Sequence, residues 1–354
     1  MQHELETTTT NIAKRRRILN NNTVVCGWAH SVALLSDNTV RSWGNNGLNQ
    51  CDPVHLTFTN VIQVDCGEYH SVALLSDGTI RCWGDNTHNQ CTHPAFTNVI
   101  QIVCGAYHSV VLFANGTVKC WGDNSERQCH RTHNTYTDVV ELVCGRYHSV
   151  ALLANGTVKC WGDNNYNQCH PKHRTFTNVK QVVCGEYHSV ALLLDGTIQC
   201  WGDSEHDQCN SLYKTFTNVI QVACGAFHSV ALMSNGTVQC WGEDEHDQCQ
   251  FKHHRTLTGV IQIACGSYHS VALRNDGTLQ CWGCNWNKQC DTIYKSFADV
   301  IQVVCGDDYS VALLNNGTLQ CWGNHEYHQC DPIHRTITNV KLPSPHDNTT
   351  VLLW

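Results

Sequence analysis

Residues 64–91 read V-D-C-G-E-Y-H-S-V-A-L-L-S-D-G-T-I-R-C-W-G-D-N-T-H-N-Q-C, and the chain repeats this stretch eight times. The Cys-Gly pair recurs at residues 26, 66, 104, 144, 184, 224, 265 and 305. A Trp-Gly pair and a Gln-Cys pair follow it in each copy. Such regular spacing predicts that each copy is one supersecondary unit, which needs its neighbours to bury its apolar faces.

Each copy contains two short β-rich runs joined by an Asx-Gly dipeptide, as in residues 71–75 and 79–83 around Asp77-Gly78. Asx-Gly suits the two positive φ angles of a type I′ turn, so a tight hairpin is predicted. The first copy has Asp37-Asn38, which also tolerates the left-handed conformation. Residues 58–64 supply a further strand, and no stretch shows helical periodicity. Four short strands per copy, repeated radially, predict an all-β propeller blade.

The order C-G-x-x-H-S-V-A-L-L-x-D-G-T-x-x-C-W-G-D-N-x-x-x-Q resembles the repeat of the regulator of chromosome condensation family over residues 21–354. The resemblance implies a β-propeller, which has seven blades in most members, whereas the motif count here gives eight. Residues 337–354 align on residues 58–75 as a half-copy. We expect this half-copy to pair with the amino-terminal blade and close the ring, which removes an exposed sheet edge.

The chain divides into a polar arm, residues 1–20, and the propeller, residues 21–354. The arm has no apolar signal core, so an intracellular protein is expected, in the nucleus or in a viral particle, and not one secreted by a signal peptide. Its basic cluster is a candidate nuclear address or nucleic-acid-binding arm, with a solvated leader as the alternative. The cluster consists of Lys14, Arg15, Arg16 and Arg17.

The 24 cysteines recur three to a copy, with Ser42 in place of one and Cys284 added. A reducing compartment predicts free, buried thiols that pack as small apolar groups. If disulfides form, Ser42 distinguishes two patterns. Pairing of the Cys-Gly set with the Gln-Cys set would survive in the first copy, whereas pairing through the Cys-Trp set would not.

Two cysteine motifs are candidates for metal or redox chemistry. A Cys-x-x-x-His spacing that could seed zinc sites occurs at Cys51/His55, Cys129/His133, Cys169/His173, Cys249/His253 and Cys330/His334. Tyr213 and Tyr294 replace the histidine in two copies, so an aromatic wedge is expected rather than a metal ligand. The single Cys-x-x-C at Cys281 and Cys284 lies at a strand end with no helix after it, so no redox role is expected.

A ring of equivalent histidines is a poor way to build one catalytic site. The resemblance implies that these residues hydrogen-bond between blades near the axis; they are His30, His70, His108, His148, His188, His228 and His269, with Tyr309 in the last copy. The Asn-Gly-Thr sequons at Asn115, Asn155, Asn235 and Asn316 are explained by the turns they form. The sequence contains no phosphate-cradling loop and no nucleophile elbow, so we expect no enzyme and no cofactor.

Variation between copies is concentrated in the loops, where recognition residues are expected. The loop before each Phe-Thr-Asn-Val strand carries a basic arc in five consecutive copies, formed by Arg174, Lys214, Arg255, Lys295 and Arg335. The loops after Trp-Gly are acidic, as at Asp203, Glu205 and Asp207. These charges fit a solvated rim, contacts with nucleic-acid phosphates, or contacts with a protein partner or a second copy.

The sequence therefore predicts a non-enzymatic propeller scaffold that binds a macromolecular partner, with chromatin or another nucleoprotein as one option. The alternative is a self-assembling structural protein of a viral particle or nucleoprotein fibre. A third alternative, nucleotide exchange on a small GTPase, uses an inserted wedge in the founder of the similar family. The copies here span 38 to 41 residues without such an insert, so exchange is disfavoured.

Overall fold

The protein is described by a computed structural model that covers residues 23–51, 57–130, 136–169, 176–209, 215–249, 257–291, 297, 299–331 and 337–343. These residues form eight antiparallel sheets of three strands, one sheet for each copy of the repeat. The expected fourth strand is not observed in this part of the chain. In the second copy the whole connection from Cys91 to Val99 is described, and it contains no strand.

The strands follow the same order in every sheet. The first strands are β1 (Val24–Cys26), β4 (Val61–Cys66), β7 (Val99–Cys104), β10 (Val139–Cys144), β13 (Val179–Cys184), β16 (Val219–Cys224), β19 (Val260–Cys265) and β22 (Val300–Cys305). The second strands are β2 (His30–Leu34), β5 (His70–Leu75), β8 (His108–Phe113), β11 (His148–Leu153), β14 (His188–Leu193), β17 (His228–Met233), β20 (His269–Arg274) and β23 (Tyr309–Leu314). The third strands are β3 (Val40–Gly44), β6 (Ile80–Gly84), β9 (Val118–Gly122), β12 (Val158–Gly162), β15 (Ile198–Gly202), β18 (Val238–Gly242), β21 (Leu279–Gly283) and β24 (Leu319–Gly323).

The hairpin between the second and third strands exists, but the predicted type I′ turn is wrong. Gly78 has a φ of +77°, whereas Asp77 is not in the left-handed region. Leu75 instead accepts a hydrogen bond from the Gly78 N–H and donates to the Thr79 carbonyl, so the loop has three residues. A three-residue loop needs one left-handed residue after a type I turn. The Asp77 carboxylate accepts from Thr79, and Asn38 takes the glycine's place in the first copy with a φ of +62°.

Apolar side chains are buried between consecutive sheets rather than within one. One cluster joins Leu74 and Ile80 of the second copy to Ile102 and Trp121 of the third. The indole of Trp121 also donates to the Gln90 carbonyl of the second copy at 2.7 Å. Each apolar core is shared by two consecutive copies, so a single copy cannot bury its apolar side chains without a neighbour.

Glutamine side chains fasten neighbouring first strands to each other. The Gln63 amide donates to the Ile102 carbonyl at 2.9 Å and accepts from the Ile102 N–H at 3.0 Å. Gln101 makes the same two bonds to Leu142. Glu141 occupies this place in the fourth copy, and burial raises its pKa to about 8. The Oε1 atom of Glu141 is buried and has no hydrogen-bond partner among the described residues, so the chain departs here from its own pattern.

The predicted histidine ring is confirmed as an inter-repeat structure. The Nε2 atom of His70 lies 2.7 Å from the Ser109 Oγ of the next copy, and His148 lies 2.8 Å from Ser189 Oγ. All seven histidines are fully buried and make the same contact, and Tyr309 closes the series with its hydroxyl 2.8 Å from Ser31 Oγ. The ring therefore stabilises the contact between every adjacent pair of copies.

The eighth copy packs against the first, so the ring is closed. The Trp43 indole donates to the Gln329 carbonyl at 3.1 Å, and Thr23 donates to the Gln302 side chain. Val340 pairs with Leu35 in the way that Val61 pairs with Leu75 in the second copy. The start of the carboxyl-terminal half-copy thus pairs with the first blade as predicted, whereas residues 344–354 lie outside the described residues. In the described part of the chain, no helix has the length and apolarity to span a membrane.

Candidate binding site at the ring axis

One face of the ring gathers the most varied residues of the repeat. In each sheet the first and third strands run in the same direction, so the turns after Cys-Gly and the loops after Trp-Gly lie at the same end. We call this end the Trp-Gly face. The Asx-Gly hairpins lie at the opposite end.

The residue after each Cys-Gly pair lies at the axis of this face. Its backbone joins the next copy: the Glu68 N–H donates to the Ala106 carbonyl, and the Ala106 N–H donates to the Arg146 carbonyl, both at 3.1 Å. The backbones of adjacent copies approach each other most closely at the glycine of the Cys-Gly pair, and this position has no room for a side chain. A Cβ on Gly67 would lie 2.6 Å from the Gly105 carbonyl oxygen and would overlap the His70 ring. The backbone therefore fixes a tight circle from which these side chains project.

Arg146 connects carboxylates of two other copies across the axis. Its Nη1 atom lies 2.9 Å from Glu186 Oε1, and its Nη2 atom lies 3.2 Å from Glu68 Oε1. Burial opposes the charge of the guanidinium, but Glu186 and Glu68 outweigh burial and raise the pKa of Arg146. Asp307 accepts a hydrogen bond from Ser267 at the same level.

The described axial cluster contains more carboxyl groups than cations. Burial raises the pKa of Glu68, Glu186 and Asp307, although Arg146 pulls each of these pKa values down. When ionised, these three groups and Arg146 leave a net charge of about −2 beside a cavity. The cavity has a volume of about 40 Å³ and is bordered also by Trp28. Since one water needs roughly 10–15 Å³ of such space, it has room for a few waters or the head of one cationic side chain.

Half-buried aromatic rings surround this acidic centre. We call them the aromatic belt: Tyr69, Tyr107, Tyr147, Tyr187, Phe227 and Tyr268. Neighbouring rings lie 6.0 to 6.4 Å apart, as between Tyr69 and Tyr107 or between Tyr147 and Tyr187. Trp28 extends the belt, with its ring centroid 5.4 Å from that of Tyr69. Burial, and then the nearby Glu68, raise the pKa of Tyr69 to about 12, so its hydroxyl stays protonated near neutral pH.

The loops outside the belt add further negative charge. Residues 45–49, 85–89, 123–127, 163–167, 203–207, 243–247, 284–288 and 324–328 contain twelve carboxylates and two basic side chains, Arg127 and Lys288. The predicted acidic residues Asp203, Glu205 and Asp207 are therefore on this face. Since the whole chain carries a formal charge of −8, the negative charge is concentrated here and the rest of the molecule is nearly balanced.

The binding residues predicted from the sequence are not among those that the structure describes. Lys14, Arg15, Arg16, Arg17 and the basic arc, which comprises Arg174, Lys214, Arg255, Lys295 and Arg335, lie outside the described residues. The histidines of the Cys-x-x-x-His motifs lie outside them too. Sequence reasoning missed the axial cluster, although a signal existed. The residue after Cys-Gly changes chemistry from copy to copy while its neighbours in the repeat are nearly constant.

Within the Cys-x-x-C motif, the structure shows a contact of Cys281 with Cys290. The Cys281 side chain hydrogen-bonds to that of Cys290, and burial raises the pKa of the Cys284 thiol. At the sequons, Asn115 accepts hydrogen bonds from the N–H and hydroxyl of Thr117, as expected for a turn residue.

A closed ring of eight radially repeated antiparallel sheets with a central mouth is a β-propeller. Each of the eight copies also matches the profile of the regulator of chromosome condensation (RCC1) repeat, over residues 23–50, 61–90, 99–128, 139–168, 179–208, 219–248, 260–289 and 300–329. The chain therefore belongs to the RCC1 repeat family. Among curated protein sequences, no relative matches the chain.

Solved structures share the fold at low sequence identity. Human WBSCR16 is 24% identical with a TM-score of 0.56, over 72% of this chain and 87% of that one. The CRINKLY WD40 ectodomain of the Arabidopsis thaliana receptor kinase ACR4 is 20% identical with a TM-score of 0.53, over 75% and 94%. Yeast RCC1 (Prp20), solved with Kap60 bound, is 20% identical with a TM-score of 0.50, over 80% and 75%.

Proposed function

We propose that this protein is an interaction scaffold whose Trp-Gly face binds a basic segment of a partner protein. The observation that carries the proposal is the aromatic belt around an axial cluster with more carboxylates than cations. Aromatic faces and carboxylates attract the same ligand, because both present negative potential to an ammonium or guanidinium group. The acidic loops would steer such a segment towards the axis.

The axial residues also suggest how the segment is oriented. One lysine or arginine side chain would pass the aromatic belt and place its charged group in the cavity beside Glu68 and Asp307. Flanking basic residues would lie across the loops that carry Asp203 and Glu243. Yeast RCC1 (Prp20) is bound to Kap60 in its solved structure. For this chain, the proposal of partner binding rests on its own aromatic belt and axial carboxyl groups.

Fluorescence anisotropy with a labelled lysine- and arginine-rich peptide tests the proposal. Replacing Tyr107 and Tyr187 by Ala together is expected to weaken binding by about tenfold, since each exposed cation–π contact contributes roughly 0.5–1 kcal/mol. The matched control is Leu194→Ala, because Leu194 is 58% exposed and lies in an Asx-Gly hairpin loop on the opposite face. Circular dichroism confirms that both variants fold. Equal affinity for an acidic peptide of the same length, or no effect of the tyrosine substitutions, would reject the site.

A second candidate rests on the basic residues of the sequence. We propose that Lys14, Arg15, Arg16, Arg17 and the basic arc contact the phosphates of a nucleoprotein, since such contacts need positive charge but no base-specific geometry. Replacing Arg174, Lys214, Arg255, Lys295 and Arg335 by Ala should leave the fold intact and weaken DNA binding. The slope of log affinity against log salt should become shallower.

The same variant distinguishes self-assembly from nucleic-acid binding. If the basic arc of one molecule contacts the acidic Trp-Gly face of another, the wild-type protein will form oligomers at low salt without DNA, and the variant will not. Sedimentation velocity at two salt concentrations measures this. A gel-shift assay that shows the same DNA affinity for wild type and variant would contradict the nucleic-acid role.

A further inference from the structure

Five copies bring two cysteines together at the same place in the blade, and two further copies have the same two cysteines at the same sequence spacing. In these seven copies the Cys-Trp cysteine at the centre of the third strand precedes the Gln-Cys cysteine by nine residues; the pairs are Cys82/Cys91, Cys120/Cys129, Cys160/Cys169, Cys200/Cys209, Cys240/Cys249, Cys281/Cys290 and Cys321/Cys330. Cys200 and Cys209 form a disulfide, with Cα atoms 5.2 Å apart. In the second copy, Cys82 Sγ lies 2.7 Å from Cys91 Sγ.

The strands that carry these cysteine pairs have the same arrangement in different copies. The third strands hold the same register with the second strands, as in the pairing of Val72 with Cys82 and of Val190 with Cys200. The loops after them also close alike. Cys82 Sγ lies 3.2 Å from the Gln90 carbonyl oxygen, and Cys200 Sγ lies 3.1 Å from the Gln208 carbonyl oxygen. A Cα separation near 5.2 Å lies within the range that a disulfide needs, so the reduced pairs can close without backbone movement.

We propose that all seven pairs are oxidisable dithiols, and that a low-molecular-weight disulfide converts them to seven intramolecular disulfides. The thiolate of one cysteine attacks the small disulfide and releases one small thiol. The second cysteine then attacks the mixed disulfide and releases the other small thiol. Each pair loses two hydrogens and two electrons, which the small disulfide receives.

The remaining cysteines provide an internal control. Those of the Cys-Gly set are buried beside a serine hydroxyl, as in Cys66 with Ser71, whereas Cys91 of the Gln-Cys set is only partly buried and more accessible to a small disulfide. The first copy has Ser42 in place of a partner for Cys51. The Ser42 hydroxyl is buried and has no hydrogen-bond partner among the described residues. Of the two pairing patterns that the sequence leaves open, the structure favours the one that runs through the Cys-Trp set and is missing from the first copy.

Oxidation would fasten the contacts between copies. The Gln90 carbonyl, next to Cys91, accepts the indole N–H of Trp121 from the following copy. A disulfide between Cys82 and Cys91 closes the loop that presents this carbonyl. We expect oxidised protein to unfold at a higher temperature than reduced protein, because the cross-links restrict the unfolded chain.

Mass spectrometry of the native full-length protein tests the proposal. Fully reduced protein is incubated with oxidised glutathione, denatured and alkylated. Of the 24 cysteines, fourteen lie in the pairs, so ten alkylated thiols are expected and the intact mass before alkylation should fall by about 2 Da for each pair. Peptide mapping should recover the seven links named above. Twenty-four alkylated thiols, or links that join other cysteines, would overturn the proposal.

A variant that adds an eighth cysteine pair tests the proposal without removing any native residue pair. Ser42→Cys adds a partner for Cys51, so oxidation should yield eight links and nine alkylated thiols. Cys91→Ser should yield six links and leave Cys82 alkylated. If Ser42→Cys gives no new link while the wild-type pairs close, the shared repeat geometry is not what governs oxidation, and the proposal fails.

Discussion

The free energy of unfolding is expected to reach a maximum near about pH 6.5 and to fall as the pH drops below that value. Four histidines of the axial ring have pKa values lowered by burial, to about 3 for His70 and His188 and about 4 for His148 and His269. Unfolding returns them to about 6.5, so the unfolded chain binds more protons. Stability from these residues is therefore present above pH 6.5 and is lost as the pH falls towards 3.

Two buried carboxyl groups act in the opposite direction. Burial raises the pKa of Asp65 and of Glu141 to about 8, from 3.8 and 4.5 respectively. The folded protein holds these protons and the unfolded chain releases them, so stability falls as the pH rises from about 4 to 8. Between these values the two sets partly cancel. Between about pH 4 and 6.5 the unfolded chain binds about four more protons at the histidines and about two fewer at the carboxyl groups, so the net slope is roughly 3 kcal/mol per pH unit.

Urea unfolding at a series of pH values measures both limbs. Glu141→Gln restores the amide found at this place in other copies, so it should stabilise the protein and flatten the alkaline limb by about 1 kcal/mol per pH unit. His148→Gln should make the acid limb shallower by a similar amount. His206→Gln, at an exposed loop position, is the matched control and should leave the profile unchanged. A free energy of unfolding that stays constant from pH 7 to pH 4 would contradict the account.

Much of this architecture could be predicted from the sequence, because the repeat shows the same pattern eight times. The Cys-Gly and Trp-Gly positions gave the number of blades, and the alignment of Val340 with Val61 gave the closure. The Asx-Gly dipeptide predicted a hairpin but not its turn type. The same two residues fit a two-residue or a three-residue loop, and only the backbone hydrogen bonds of Leu75 with Gly78 and Thr79 show that the loop here has three residues.

The candidate site was harder to predict, because its members are distant in sequence. Arg146 meets Glu68 only because the ring brings residues two copies apart across one axis. The cysteine pairing was open for a similar reason. Spacing alone cannot show which two of three sets share a side of the blade. By contrast, the histidine ring was predictable, since eight equivalent residues at one position of a closed repeat must lie on a circle.

Gly145→Ala is expected to destabilise the protein by about 4 kcal/mol or more, or to prevent folding. Gly145 lies in the axial circle where backbones of adjacent copies approach most closely. An added Cβ would overlap the His148 ring and lie 2.6 Å from the Gly185 carbonyl oxygen of the next copy. Moving the His148 ring would break its 2.8 Å contact with Ser189, and moving the backbone would disturb both adjacent copies. Neither neighbour can retreat cheaply, because both are fully packed.

Gly47→Ala is the matched control, because a Cβ there meets only the Asn45 side-chain oxygen, at 3.2 Å, in an exposed loop of the Trp-Gly face. It should change the free energy of unfolding by less than about 1 kcal/mol. Thermal unfolding followed by circular dichroism compares the two variants. The ring shares one core between neighbours, so the damage at Gly145 should lower the unfolding temperature of the whole molecule in a single transition rather than release one blade. If Gly145→Ala protein has the same unfolding temperature as the wild type, the axial circle can accommodate a Cβ and the account is wrong.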